Sequence, residues 1–208
     1  MLANQFLKYL FLSLAIFIVA TAVSACTTTP QVIKIGLIAP FEGADREIGY
    51  DAIYAARLAV REANQALTDA NYRIALVALD DGGQIDLAEQ VARSLVLDDQ
   101  VVAVIGHGRS DTTAATQPIY QQASLPALPL GSEPFPTVSP NTLSPEFTTA
   151  YEAVTPFDET PQAFAKPTYD AFQVVLTAVA LAQNEHQTIN RNTVALSLQN
   201  LDVQAIVK

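Results

Sequence analysis

Apolar and polar positions along this chain fall into two alternating periods. Val32–Ala39 (VIKIGLIA) is an apolar run rich in β-branched residues and ends at Pro40, which predicts a buried strand. After a polar loop with Gly43, apolar residues recur three and four apart at Ile48, Ala52, Ala55, Ala56, Ala59, Val60 and Ala63. That spacing predicts a helix over about 47–66, and its alanines suit close packing on a sheet. Tyr72–Leu79 predicts a second strand, ended by Asp80-Asp81-Gly82-Gly83. Leu87, Val91, Leu95 and Val96 line the next helix, for which Asp86 and Glu89 resemble a capping box. Val101–Ile105 is the third strand, and Gly106 and Gly108 let the chain turn sharply after it. A short helix follows, for which Ser110, Asp111 and Thr112 are candidate caps. Pro126–Leu130 is the fourth strand and stops at Gly131-Ser132. Strand–helix alternation of this kind predicts an α/β fold, a parallel doubly wound, Rossmann-like sheet of about four or five strands. In such sheets ligands sit at the carboxyl ends of strands, here at the loops after Ile105 and Leu130.

The pattern then changes. Ser132–Pro145 holds four prolines, five serines and threonines and few apolar residues, which makes it a linker. Phe147–Val154 predicts a short helix and Thr155–Pro161 a loop. Tyr169, Phe172, Val175, Leu176, Val179 and Ala180 predict a strong helix from Phe164 to about Gln183, with Pro167 in its first turn. A last helix over about 193–201 carries Val194, Leu198 and Leu201, with Asn192 as its expected cap. The tail from Asp202 has no assigned structure, and no internal repeat is present.

Residues 1–25 have the pattern of a secretory signal: Lys8, then a mostly apolar stretch from Tyr9 to Val23 too short for a full membrane span. Val23-Ser24-Ala25-Cys26 matches the lipobox of bacterial lipoproteins, which makes Cys26 the expected lipidation site and residues 26–31 a tether. An acylated Cys26 would hold the domain at an extracytoplasmic membrane face. Residues 32–208 remain for one α/β lobe, interrupted by the linker at 132–145. With 208 residues, half of them hydrophobic, the chain has material for a sizeable core. A net charge of −10 without a basic cluster argues against nucleic acid as a partner. One cysteine excludes an internal disulfide and a CxxC zinc site, and His107 and His186 have no metal-ligand spacing. No metal or cofactor is expected.

Candidate chemistry is sparse. His107, Ser110 and Asp111 invite a hydrolase reading, but adjacent Ser-Asp side chains point apart and no G-x-S-x-G elbow exists, so no enzyme is expected. Asp80-Asp81 reads as a solvated strand terminus, and Glu42, Asp45 and Glu47 as a solvated acidic loop. Arg109 has two readings, a pair with a carboxylate ligand or a pair with Asp111.

Taken in order, several stretches resemble the periplasmic binding proteins for branched-chain amino acids, the solute-binding components of ABC importers. They are Ile33-Lys34-Ile35-Gly36, Gly43 and Gly49, the alanine-rich helix closing on Asn64, and Asp80-Asp81. Val104-Ile105-Gly106-His107 with Ser110 and Thr113 follows, and then the Tyr169-Asp170-Ala171 helix. The resemblance covers about 33–132 and 146–201. It implies lobe one of a two-lobed clamshell, with the Pro-rich linker 132–145 standing in place of lobe two.

The same resemblance implies a ligand site. Ser110 and Ser132 would supply hydroxyls, and Gly108 and Leu130 backbone groups, to a small amino acid or amide. The family's aromatic contact in the first loop falls near Ile48, which has no ring, and its small hydroxyl falls near Glu42. The acidic residue that holds the ammonium and further aromatics come from lobe two and have no counterpart in this sequence. The implied function is a solute-binding lipoprotein working with an ABC permease; the alternative is a non-transporting interaction or sensory module, or a decayed fragment. One wall leaves polar contacts open to water, each worth about 0.5–1.5 kcal/mol net, so affinity should be millimolar or weaker. Tighter binding would need a homodimer or a partner to supply the second wall.

Overall fold

A computed structural model describes residues 29–207. The signal segment and Cys26 lie outside the described residues. The predicted strands form one four-stranded parallel sheet in the order β2-β1-β3-β4. They are β1 (Gln31–Ala39), β2 (Tyr72–Asp80), β3 (Val101–Ile105) and β4 (Ala127–Leu128). Between them run α1 (Arg46–Ala66), α2 (Ile85–Val96) and α3 (Ser110–Gln122); α4 (Pro145–Glu152), α5 (Ala165–His186), α6 (Arg191–Asn200) and α7 (Val203–Ile206) follow.

Residues of β1 alternate between two cores, as period-two geometry requires. Ile33, Ile35 and Leu37 join α1 and α5 on one face, while Ile38 joins Val91, Leu95, Val101 and Val104 on the other. The continuous apolar run of β3 follows from this, since all five of its residues are buried. The fold class expected from the periodicity is therefore the observed one.

Boundaries differ where side chains compete for backbone groups. The fourth strand shrinks from the expected Pro126–Leu130 to two residues, because Pro126 faces β3 without an N–H for the ladder and the Leu130 N–H turns to the His107 carbonyl instead. None of Ser110, Asp111 and Thr112 holds the cap position of α3, although the Asp111 carboxylate accepts the first-turn Thr112 N–H at 2.9 Å. Arg109 stands at the cap position, and the Thr112 and Thr113 hydroxyls donate back to its carbonyl at 3.1 and 2.7 Å. The expected Asp86–Glu89 box is absent as well: α2 starts at Ile85 behind Gln84, with no side-chain cap. The last long helix is capped by Asn190 rather than Asn192, since Asn190 and Thr193 satisfy each other's backbone N–H in a reciprocal box. The tail forms the one-turn helix α7, capped by Asp202.

Residues 132–145 leave the sheet through a bridge between Ser132 and Phe135 and one 3-10 turn at Pro140–Thr142. Ser144 then caps α4 by accepting the Phe147 N–H.

Arg191 closes the far end of the sheet. Its guanidinium donates to the carbonyls of Leu95, Val96, Asp98 and Val101 at 2.7–3.3 Å. Two of these, Leu95 and Val96, lie in the last turn of α2, where carbonyls lack the regular helical partner; Leu95 also accepts the Asp98 N–H at 3.2 Å. Arg191→Ala is expected to lower stability by about 2 kcal/mol in denaturant titration, and Arg191→Lys to recover little of it, because an ammonium cannot reach four carbonyls at once. A lysine variant as stable as the parent would count against this geometry.

Candidate functional site

The loops at the carboxyl ends of the strands are tied together by short polar contacts. After β2, the Asp80 carboxylate accepts the Phe41 and Gly82 N–H groups at 2.7 and 2.8 Å, joining the loop that follows β1. Asp81 points inward and is fully buried. This corrects the solvated-terminus reading of Asp81: its carboxylate has a partner 26 residues on, the His107 ring, at 2.6 Å from Nδ1. His107 is itself without solvent exposure, and its Nε2 lies 3.1 Å from the Tyr120 hydroxyl of α3.

The loop after β3 meets the segment after β4. Gly106 N–H donates to the Leu128 carbonyl at 2.9 Å, and Leu130 N–H reaches the His107 carbonyl at 3.4 Å. Gly131 lies against the Gly108 carbonyl, with a positive φ of 77°. The four residues predicted to meet ligand thus sit on two adjoining loops. Gly108 packs under Ile48; a Cβ there would lie 2.6 Å from Ile48 Cγ2. Ser110 is exposed at the start of α3, Leu130 is buried, and Ser132 is exposed with its carbonyl accepting the Phe135 N–H at 2.7 Å. The Leu130 amide is spent on His107, so only its carbonyl could face a ligand.

Arg109 takes one of its two sequence readings and adds a partner. It donates to Asp111 at 2.9 and 3.1 Å and to Asp45 at 2.5 Å. The guanidinium draws the Asp111 carboxyl below the ordinary aspartate value, and the two acids push Arg109 further up. Asp45 is thus half-buried in an ion pair, which corrects its assignment to a solvated acidic loop; Glu42 and Glu47 are exposed as expected.

Two features escaped the sequence reading. Phe164, at the entrance to α5, brings a ring against Gly131: a Cβ there would lie 3.1 Å from Phe164 Cε1. The Phe164 N–H in turn is held by Asp51 of α1 at 2.5 Å. No local signal links residues more than a hundred positions apart. A cavity of about 520 Å³ opens beside this junction, lined by Glu47, Ile48, Asp51, Tyr151, Glu159 and Phe164 among others. A second, of about 780 Å³, lies along β4 between α3 and α6. Ser110 and Ser132 line neither cavity.

Comparison with known proteins gives four findings. The family profile described as periplasmic binding protein matches residues 32–155. An amino acid binding protein of Pseudomonas aeruginosa is 32% identical over 100 residues, which are 48% of this chain and 27% of that protein. The chain therefore spans about a quarter of the length of that curated relative. A structure from Rhodospirillum rubrum, assigned to a branched-chain amino acid ABC transporter, has a TM-score of 0.66 at 16% identity, over 81% of this chain and 89% of that one. That likeness is one of fold. A branched-chain amino acid transporter substrate binding protein from Streptococcus pneumoniae, solved with isoleucine, aligns at 20% identity over 82% of this chain and 46% of that one, with a TM-score of 0.45.

Proposed function

We infer the function from the family, since the chain belongs to the periplasmic binding proteins. We propose that it is a solute-binding lipoprotein of an ABC importer, taking a small amino acid or amide, non-catalytic, and held outside the cytoplasm by an acylated Cys26. The proposed contacts are the Ser110 and Ser132 hydroxyls with backbone groups of Gly108 and Leu130. The single observation that supports this reading is the meeting of those two loops at the carboxyl ends of β3 and β4, joined by the Leu130–His107 bond. The name of the P. aeruginosa relative points to amino acids as the ligand class. The Pro-rich stretch 132–145 is read as the replacement for a second lobe. The ABC permease would be the partner in transport, and a homodimer or partner would supply the missing wall.

One observation favours a second reading. Ser110 and Ser132 are exposed and line neither of the two cavities described above, as suits an interaction or sensory module that has kept the fold without the pocket.

A thermal melt of the purified protein across a panel of amino acids and small amides separates the two. A ligand at ten times its Kd adds about 1.4 kcal/mol, a rise of a few degrees that grows with concentration. The expected result is such a rise with leucine-like ligands at millimolar concentration, lost in the Ser110→Ala/Ser132→Ala double variant. A cooperative melt indifferent to every ligand would overturn the importer reading in favour of the module.

A further inference from the structure

We propose that His107 is a positioning residue for the two ligand loops, gripped from inside by Asp81 and Tyr120. The inference rests on the binding reading above. His107 is the residue before Gly108; its carbonyl accepts the Leu130 N–H at 3.4 Å and lies 3.3 Å from the Thr113 hydroxyl, which shares its hydrogen between it and the nearer Arg109 carbonyl. One residue therefore touches the loop after β3, the first turn of α3 and the segment after β4. Those are the pieces that carry Gly108, Ser110, Leu130 and Ser132.

The ring is fixed at both nitrogens. Asp81 Oδ2 stands 2.6 Å from Nδ1, and the other Asp81 oxygen accepts the Gly83 N–H at 3.0 Å. A carboxylate only accepts, so Nδ1 carries a proton. The Tyr120 hydroxyl, held firmly protonated by burial first and by the Asp81 charge second, pairs with Nε2 at 3.1 Å and donates to it while the ring is neutral. Each of the three buried side chains then has its polar atoms paired, in one orientation of the ring. An apolar residue could fill the same space, but it would leave Asp81 as an unpaired buried acid and would not choose one orientation. The loops are thus set before any ligand arrives, and less ordering cost remains for binding.

Two measurements on the full protein test this. In ligand-free Tyr120→Phe, which keeps the ring and removes one hydroxyl, amide hydrogen exchange at 108–113 and 130–132 is expected to rise about tenfold while β1 and β2 keep their protection. Imidazole nitrogen NMR of the parent should show Nδ1 protonated. With leucine as the probe, affinity should fall about tenfold in Tyr120→Phe and to a similar degree in Asp81→Asn. Unchanged exchange at the two loops, exchange that rises uniformly, or a bare Nδ1 would overturn the proposal. So would loosened loops with undiminished affinity. A parent protein that binds nothing would instead sink the importer reading, and the ligand-free exchange data distinguish that failure from this one.

Discussion

Gly106→Ala is expected to abolish the cooperative fold. Gly106 sits at the end of β3 with φ +121°, where a residue with a side chain is strained. More decisively, a Cβ there would lie 2.0 Å from the Ile38 carbonyl oxygen and 3.2 Å from the Ile38 nitrogen. Both atoms are backbone of the neighbouring strand, and Gly36 and Leu37 just before them pair with Val104 and Ile105. Neither strand can retreat without giving up that ladder. Its outward neighbours are also fixed, because Ile38 is fully buried in the second core and His107 in the polar network. The cost should exceed about 4 kcal/mol, the range in which single substitutions unfold a domain. Circular dichroism during heating is expected to show no sharp transition. A melt within a few degrees of the parent would mean that β1 and β3 do not approach so closely.

Asp51→Ala should cost about 3 kcal/mol. The Asp51 carboxylate is buried and accepts the Gln162 N–H at 2.8 Å, the Phe164 N–H at 2.5 Å and the Tyr151 hydroxyl at 3.3 Å. It thereby ties α1 to α4 and to the entrance of α5. Alanine leaves the Gln162 and Phe164 N–H groups without an acceptor, while the Tyr151 hydroxyl keeps the backbone carbonyl of residue 51 at 3.2 Å. Asn should recover roughly half, since its oxygen can still serve Gln162 and Tyr151 while its NH₂ meets the Phe164 N–H donor to donor. Burial holds the Asp51 carboxyl above the ordinary aspartate value, against the pull of the Gln162 and Phe164 N–H groups. The native state therefore takes up this proton first on acidification. Stability linked to Asp51 is full below the ordinary aspartate value and is lost as pH rises through the higher folded one. Denaturant midpoints of parent and alanine variant should diverge further as pH falls through that window, and parallel midpoints would contradict the assignment.

The strands and helices were legible because each is written in a local period. Ile33 through Ile38 alternate between two cores, and Ala52, Ala55, Ala56 and Ala59 mark one helical face, so no distant information was needed. Caps were less legible. Asn190 and Asn192 offer the same side chain two residues apart, and only the reciprocal bond with Thr193 selects between them. The chemistry between loops was least legible. Asp81 next to Asp80 looks like a wet strand end, yet one acid turns to backbone N–H groups and the other to a histidine 26 residues away. Phe164 beside Gly131 depends on Asp51, 113 residues earlier.

The two prolines around β4 bear on how the molecule behaves in a crowd. In a parallel ladder β4 turns the carbonyls of Pro126 and Leu128 toward β3, which leaves Ala127 to face outward. A foreign strand arriving at that border would find one complete donor–acceptor pair at Ala127, the hydrogen-less Pro129 nitrogen on one side, and on the other the Leu125 N–H already given to the Tyr120 carbonyl at 3.0 Å. Open sheet borders are where polypeptides stack into fibres. This one is too short and too poor in N–H groups to serve as a template, so at high concentration that side of the sheet is protected from end-to-end polymerisation.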